Sequence, residues 1–537
     1  MKYLRKLIYG AALCATFSAG CNKDDLKNLN INPQAQSTLD LNFFFSSAQL
    51  GAASGGSRGD NRYIDWRTNI GFAAPAIQQT AATGGLANVG DKYQDNSEAS
   101  SAPFEFIYSD QLKNIGEILK QSGPGGFAEG KNQNMRQATR ILRAFLFHRL
   151  TDYYGSVPYF ETMQADKGIF FPKYDKQKDI YTDLLKELDE ATAAFGAPDP
   201  ADGFAAADLY YNGDIAKWKK WGYSLMLRLA MRVSNVDPAM ANTYVTKAVA
   251  GGVFTSNDDN VIVPMAIAPS LWVNQNGISR AFIPGDGGEP SFLSKTLIDF
   301  LKGTNAGSTS DDDPRLMIFT AGVGKWQSEK EFVPYFTDPL LQKGMPNGKD
   351  QNMLQAIEGV TPLNLDTTYS KINPKLLDRD EPYMLMNYGE VEFLLAEASQ
   401  RGIGGLSAGG AEAYYNAGVK ASMQMLNIYD ASFVVSDAQV TSYLAAYPFN
   451  VAKPALEMIG DQLWVNHFLN WWEAWSNWRR TGYPVLIPTN YPGNVTNGQI
   501  PQRLRYPNAE VAGNPNFKTG ASANDYTTKV WWAGGPE

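Results

Sequence analysis

Apolar residues recur at helical spacing through long stretches of this chain. In "NMRQATRILRAFLFHRLTDYYGSVPYFE", from Asn134, the residues Ala138, Ile141, Leu142, Phe145 and Leu150 form one stripe. A period near 3.6 predicts a helix, and Gly155 and Pro158 end it. A second helix begins near Asp179, with Ile180, Leu184, Leu185 and Leu188 on one face. "WKKWGYSLMLRLAMRVSNVDP" is apolar nearly all round, so it is expected to be buried. Pro238 then opens another helix over Met240 to Val249. "YMLMNYGEVEFLLAEASQRG" and "GGAEAYYNAGVKASMQMLN" read as a helical pair split by a Gly-rich turn. The last helix, "PALEMIGDQLWVNHFLNWWEAWSNWRRTGYP", sets Trp464, Phe468, Trp471, Trp475 and Trp478 on one face.

Helical pairs of this kind bury their stripes only against neighbouring pairs, as in tetratricopeptide-like arrays. The expected class is mainly α: an α-α superhelix, with spacing too irregular for a strict 34-residue repeat. The texture changes over about 51–102 and 251–383, which are rich in Gly, Pro and Asp. One good helix stands out there, near Phe292 to Leu301. These stretches predict a loop-rich, irregular lobe on a helical scaffold of about 103–250 and 384–480. Long ordered loops of this kind are usually functional.

The N-terminus follows a different logic. Lys2, Arg5 and Lys6 precede an apolar run from Leu7 to Phe17, too short to span a bilayer. "FSAGCNKDD" then places small residues before Cys21. This resembles the bacterial lipobox, with Ser18 where leucine is commoner. Asn22-Lys23-Asp24-Asp25 resembles the acidic tether of surface-exposed lipoproteins. Residues 1–20 thus read as a lipoprotein signal peptide, and 21–537 as one body. The chain has two cysteines, Cys14 and Cys21. Cleavage removes the first, so the exported protein has no internal disulfide to form. An acylated Cys21 is an anchor, since each buried CH₂ adds about 0.8 kcal/mol of membrane affinity.

Charge and motifs remove several chemistries. The net charge is −8, and loss of the three leader cations makes it −11, which disfavours nucleic acid. "GGSRG", Gly55 to Gly59, matches the spacing of a hydrolase nucleophile elbow but lacks the flanking strand and helix. The two histidines, His148 and His467, both lie in helical stripes, so neither a serine triad nor a zinc site is assembled. No metal or other cofactor is expected. "TSDDDPRL" offers three acids but not the alternate spacing of a calcium loop. It reads as a helix-ending turn in which Arg315 pairs locally and Pro314 fixes the backbone.

The loop aromatics form the candidate ligand set. Trp66 with Arg67, Tyr93, Trp272 with Asn274, Trp326 and Tyr335 fall in the two loop-rich regions, outside any helical stripe. The C–H face of a sugar ring lies flat on such rings, while its hydroxyls need amide, guanidinium or carboxylate partners. Trp272 and Trp326 are expected to share one surface, approached by Trp66 or Tyr93. Peptides can use the same surfaces.

Six segments in order, behind the lipobox, resemble the SusD/RagB family of nutrient-binding lipoproteins. They are "LRAFLFHRLTDYYGSVPY", "WGYSLMLRLAMRV", "DDDPRL", "EVEFLLAEASQRG", "EAWSNWRRTGYP" and "RLRYPNAE". The resemblance implies four tetratricopeptide-like units plus a loop-rich lobe bearing the ligand site. It implies a non-enzymatic surface protein that binds an oligosaccharide and acts as a lid on a SusC-like TonB-dependent transporter. Oligopeptides are the alternative ligand. A surface glycoside hydrolase would need two carboxylates placed across a cleft, and no spacing singles out a pair. Cys21→Ala is expected to abolish acylation and release the folded protein from membranes. Its retention in salt-washed outer membranes, in cells without the transporter, would contradict the anchor.

Overall fold

The computed structural model describes residues 40–54, 62–270, 272–305, 307–328 and 331–537; Cys21 and the Gly55–Gly59 motif lie outside them. Residues 42–537 form one compact unit. Among the longer helices are α1 (Leu41–Ser54), α2 (Ser97–Phe106), α3 (Leu112–Gln121), α4 (Gln133–Tyr154), α5 (Gln177–Ala193), α6 (Ile215–Arg232), α7 (Pro238–Gly251), α8 (Tyr388–Gln400), α9 (Ala411–Gln424), α10 (Ala455–Asn466) and α11 (Trp471–Thr481). The fold is a mainly α superhelix of stacked helical pairs. α4 packs on α5, α5 on α6 and α6 on α7, while α8 packs on α6, α9 and α10.

Local chemistry sets the helix ends. Asp214 accepts from the backbone N–H of Ala216 and Lys217 to start α6, and Asp237 caps α7 ahead of Pro238. Each such cap satisfies donors that the first turn leaves orphaned. Gly155 stops α4 at φ 80°, a conformation that costs a side-chain-bearing residue energy. α6 is buried along most of its length, as its all-round apolar pattern predicts. The turn at Asp313–Arg315 forms as expected: Arg315 Nε and Nη2 reach the two Asp313 oxygens at 2.9 and 2.6 Å.

The structure corrects four readings of element type. The single Trp-rich helix is two, α10 and α11, broken at His467–Asn470 with Leu469 at φ 74°. Asn69 holds the break open: its amide donates to Leu469 O at 3.1 Å and accepts from Trp472 N–H at 3.0 Å. Tyr383–Met386 is a buried strand, not the first turn of α8, because Asn387 caps that helix. Phe292–Leu293 pairs with Thr80–Ala81 as a strand, and Ser294 caps a shorter helix, Lys295–Leu301. The described part of the 51–102 stretch is largely helical. It includes a π-helical segment, Asp65–Ala73, that is buried from Thr68 onward. The 251–383 stretch is irregular. Its main sheet places β1 (Thr320–Ser328) between β2 (Glu331–Phe336) and β3 (Ser370–Ile372).

A chain of buried ion pairs ties the helices together. Arg228 on α6 grips Glu390 on α8 through Nε and Nη2 at 2.5 and 2.6 Å. His467 Nε2 lies 3.2 Å from the same carboxylate. One turn further along α6, Arg232 pairs with Glu473 of α11 and lies 3.6 Å from Asp152 of α4. Asp152 also accepts from the Trp532 indole at 2.8 Å and from the Tyr181 hydroxyl. Burial opposes ionisation of Glu390, but Arg228 and His467 hold its carboxyl well below the usual range. Removing one partner of such a pair leaves a buried charge unopposed. Glu390→Gln is therefore expected to destabilise the fold by about 3–5 kcal/mol, read by denaturant unfolding at neutral pH. A loss below 1 kcal/mol would mean that the network contributes little.

Candidate functional site

Two of the loop tryptophans converge on one carboxylate. Trp66 sits near the start of the Asp65–Ala73 segment, in which Asp65 and Thr68 to Ala73 are buried while Trp66 and Arg67 are partly open. Asp65 is fully buried, accepting from Tyr383 Oη at 2.8 Å, and burial pushes its carboxyl up to about 7 against the pull of Arg149. Trp66 faces the other way and is half-buried. The Arg62 and Arg67 guanidiniums each lie 4.9 Å from its ring centroid, and its indole N–H donates to Glu289 at 2.8 Å. Such cation–π contacts fix the ring as well as stabilise it.

Arg62 also pairs with Asp286. Arg280 Nε reaches the same carboxylate at 2.8 Å and Arg379 Nη1 at 2.9 Å. The Arg280 guanidinium lies 4.6 Å from the Trp272 ring centroid, and its Nη1 donates to Trp272 O at 3.1 Å. Asp286 thus links Trp66 to Trp272 through two arginines. Trp272 is 49% exposed although a buried cation lies against its ring. An aromatic ring held in place yet open to water has the geometry to stack on an apolar ligand face.

The remaining candidates are placed differently. Asn274 is half-buried in the Trp272 loop, its carbonyl accepting from Ala266 N–H at 2.8 Å. Arg67 bonds Glu98 at 2.8 Å. Trp326 lies on β1, edge-on to Phe332 of β2 at 5.8 Å, and Tyr335 is exposed on β2. The hairpin therefore holds Trp326, whereas the Asp286 cluster holds Trp66 and Trp272. Tyr93, expected at the surface, is buried: its backbone is left-handed at φ 52°, and its hydroxyl accepts from Thr489 N–H at 3.2 Å. The sequence reading missed Asp286, Arg62, Arg280, Arg379 and Glu289. Only Arg62, four residues before Trp66 at helical spacing, left a readable signal.

His148, Asp152 and Glu473 present possible metal-ligand atoms within 4.8 Å of one another. Arg232 pairs with both carboxylates, so a guanidinium already supplies their positive charge. The helical tryptophans Trp464, Trp471 and Trp475 are all buried, as core residues.

A family model described as starch-binding and associating with the outer membrane, SusD-like, matches residues 34–507. The chain belongs to the SusD-like family. A solved chitin-binding protein is 34% identical, covering 92% of this chain and 100% of its own, at a TM-score of 0.77. A SusD-like protein of the Bacteroidetes is 26% identical over 92% of this chain and 100% of its own, with a TM-score of 0.76. A chitin-binding SusD homolog from Flavobacterium johnsoniae shares the fold at 24% identity and a TM-score of 0.70, over 92% and 98% of the two chains. No curated protein sequence matches the chain. Membership agrees with the resemblance read from the six sequence segments and with the tetratricopeptide-like helical scaffold.

The Asp286 cluster makes a specific demand on stability. Arg280 is wholly buried, and Asp286 is a carboxylate facing it. Asp286→Ala is expected to cost about 3–5 kcal/mol, as for other buried pairs that lose one partner, and to shift tryptophan emission to the red as Trp272 and Trp66 loosen. Unchanged unfolding and emission would show that Asp286 does not organise the two rings.

Proposed function

We propose that this SusD-like protein is a surface-exposed outer-membrane lipoprotein that captures a chitin-type oligosaccharide. It does so without transforming the ligand, and it hands it to a SusC-like TonB-dependent transporter. The observation that carries the reading is the exposed Trp272 ring, held against the Arg280 guanidinium. The C–H face of an N-acetylglucosamine ring matches an indole in size and polarity. Its hydroxyl and acetamide groups need planar hydrogen-bonding partners such as those around the cluster. The chitin class is supported by the chitin-binding protein that this chain resembles at 34% identity.

Binding without turnover fits how the local carboxylates are used. Glycoside hydrolysis takes two carboxyl groups, one of them free to donate or accept a proton. Asp286 instead faces three guanidiniums, and Glu289 accepts from the Trp66 indole and from Ala87 N–H at 2.9 Å. Both serve as structural acceptors. The lipobox-like leader and the family's outer-membrane association support the location and the transporter partner.

Calorimetry with chitotetraose and chitohexaose tests the reading. Trp272→Ala is expected to weaken binding about 30-fold, roughly 2 kcal/mol, as for an interface hot spot, with little change in melting temperature. Trp326→Ala, measured alongside, reports whether the hairpin belongs to the same surface. Tight binding of oligopeptides with none of chito-oligosaccharides would overturn the ligand class. Release of N-acetylglucosamine from the ligand would overturn the non-enzymatic reading.

A further inference from the structure

Away from the Asp286 cluster, a groove of about 800 Å³ opens between α3, the 158–172 loop and the C-terminal 507–514 segment. Its size falls within the range of ligand-accepting clefts. Phe104 and Tyr108, in contact at 4.8 Å, together with Pro158 and Pro172, give it an apolar wall. Its lip is unusual for a solvated surface. Phe170 is 71% exposed and Phe171 56% exposed. Contiguous exposed apolar surface of this kind marks an interaction site more often than chance does.

The lip is held in place by polar contacts behind it. Asn516 donates to Phe171 O at 2.8 Å, and Asn514 donates to Pro172 O at 3.2 Å. Those bonds hold the backbone at Phe171 and Pro172, which lowers the cost of ordering the lip on binding. Across the groove, the Met163 side chain lies over Gly116 of α3, where an added Cβ would come within 2.5 Å of Met163 Sδ. A flexible thioether over a glycine makes one wall that can adapt to what enters.

Charge decides among occupants. Of the five carboxylates that line the groove, Asp166 pairs with Lys120 at 2.6 Å and Glu161 with Lys173 at 3.1 Å, so Glu105, Glu117 and Glu510 carry its excess charge against Lys113. A second copy of this acidic chain would bring like charge to like charge. We propose that the groove docks a protein segment with bulky apolar anchors flanked by lysine or arginine. The anchors fill the space beside Phe170, Phe171 and Tyr108. The basic flanks meet the carboxylate rim, which speeds encounter and sets specificity. The site is independent of the Trp272 surface.

The test is fluorescence anisotropy on the mature chain. The probes are labelled ten-residue peptides with Leu, Ile, Phe or Trp anchors at spacings of two and of three to four residues, each made with lysine and with glutamate flanks. At least one lysine-flanked peptide is expected to bind at least 10-fold tighter than its glutamate twin, and more weakly as salt rises. The double variant Phe170→Asp with Phe171→Asp is expected to lose that binding while keeping its melting temperature and its affinity for chitohexaose. Glu105→Lys is expected to shrink the preference for lysine flanks. No binding by any peptide, equal binding by both charge series, or unchanged binding by the double variant overturns the proposal. So does loss of chitohexaose affinity in the double variant, which would make the groove part of the glycan surface. Loss of chitohexaose binding in Trp272→Ala bears only on the function proposed above.

Discussion

The buried run of guanidinium and carboxylate groups through Asp152, Arg232, Glu473, Arg228 and Glu390 is the constraint on which the scaffold depends. It crosses from α4 through α6 to α11 and α8. Desolvating these groups is expensive, so each must find its partner for the fold to close. Apolar stripes would let the helices slide by a turn with little penalty. Buried ion pairs do not, because a one-turn slip strands two charges. The superhelix gains from this network a fixed register.

That register places the segment that carries Trp66. The Asp65–Ala73 segment is threaded against α11 and the α10–α11 break, with Asn69 filling the gap and Gln79 accepting from the Trp471 indole at 2.8 Å. Asp65 turns inward to Tyr383, so Trp66 turns outward to meet Arg62 and Glu289. Asp286 then repeats on a small scale what the core does on a large one, with one carboxylate holding guanidiniums from three places in the chain. Two surfaces result, each on a rigid backing: an indole platform over arginine, and a phenylalanine lip over asparagine. The glycan and the basic protein segment proposed for them would take separate surfaces, so capture and docking would not compete.

Much of the scaffold was legible in the sequence. Stripes at a period of 3.6 report which face a helix buries, and Gly155 and Pro238 mark where one ends and another begins. α4 to α9 lie close to where those signals put them. Trp272 was identifiable as a ring outside any helical stripe. Tyr93 carried the same signal and proved buried, because aperiodicity in a sequence does not distinguish an exposed loop from one pressed into the core. The 51–102 stretch misled for the same reason. Its small residues look loop-like, yet they are what a crowded interior needs.

What the sequence by itself determined is the family, the mainly α class and the helical pairs, since these rest on local periodicity and on ordered motifs. Tertiary structure alone decided the break between α10 and α11, which Asn69 enforces from some 400 residues away. It alone brought Arg62, Arg280 and Arg379 to Asp286, and the Phe170–Phe171 lip to Asn514 and Asn516. Local propensity is written within a few residues of where it acts. An ion pair or a capping amide acts at a few ångströms between residues whose distance along the chain is arbitrary, so only the packed fold reveals it.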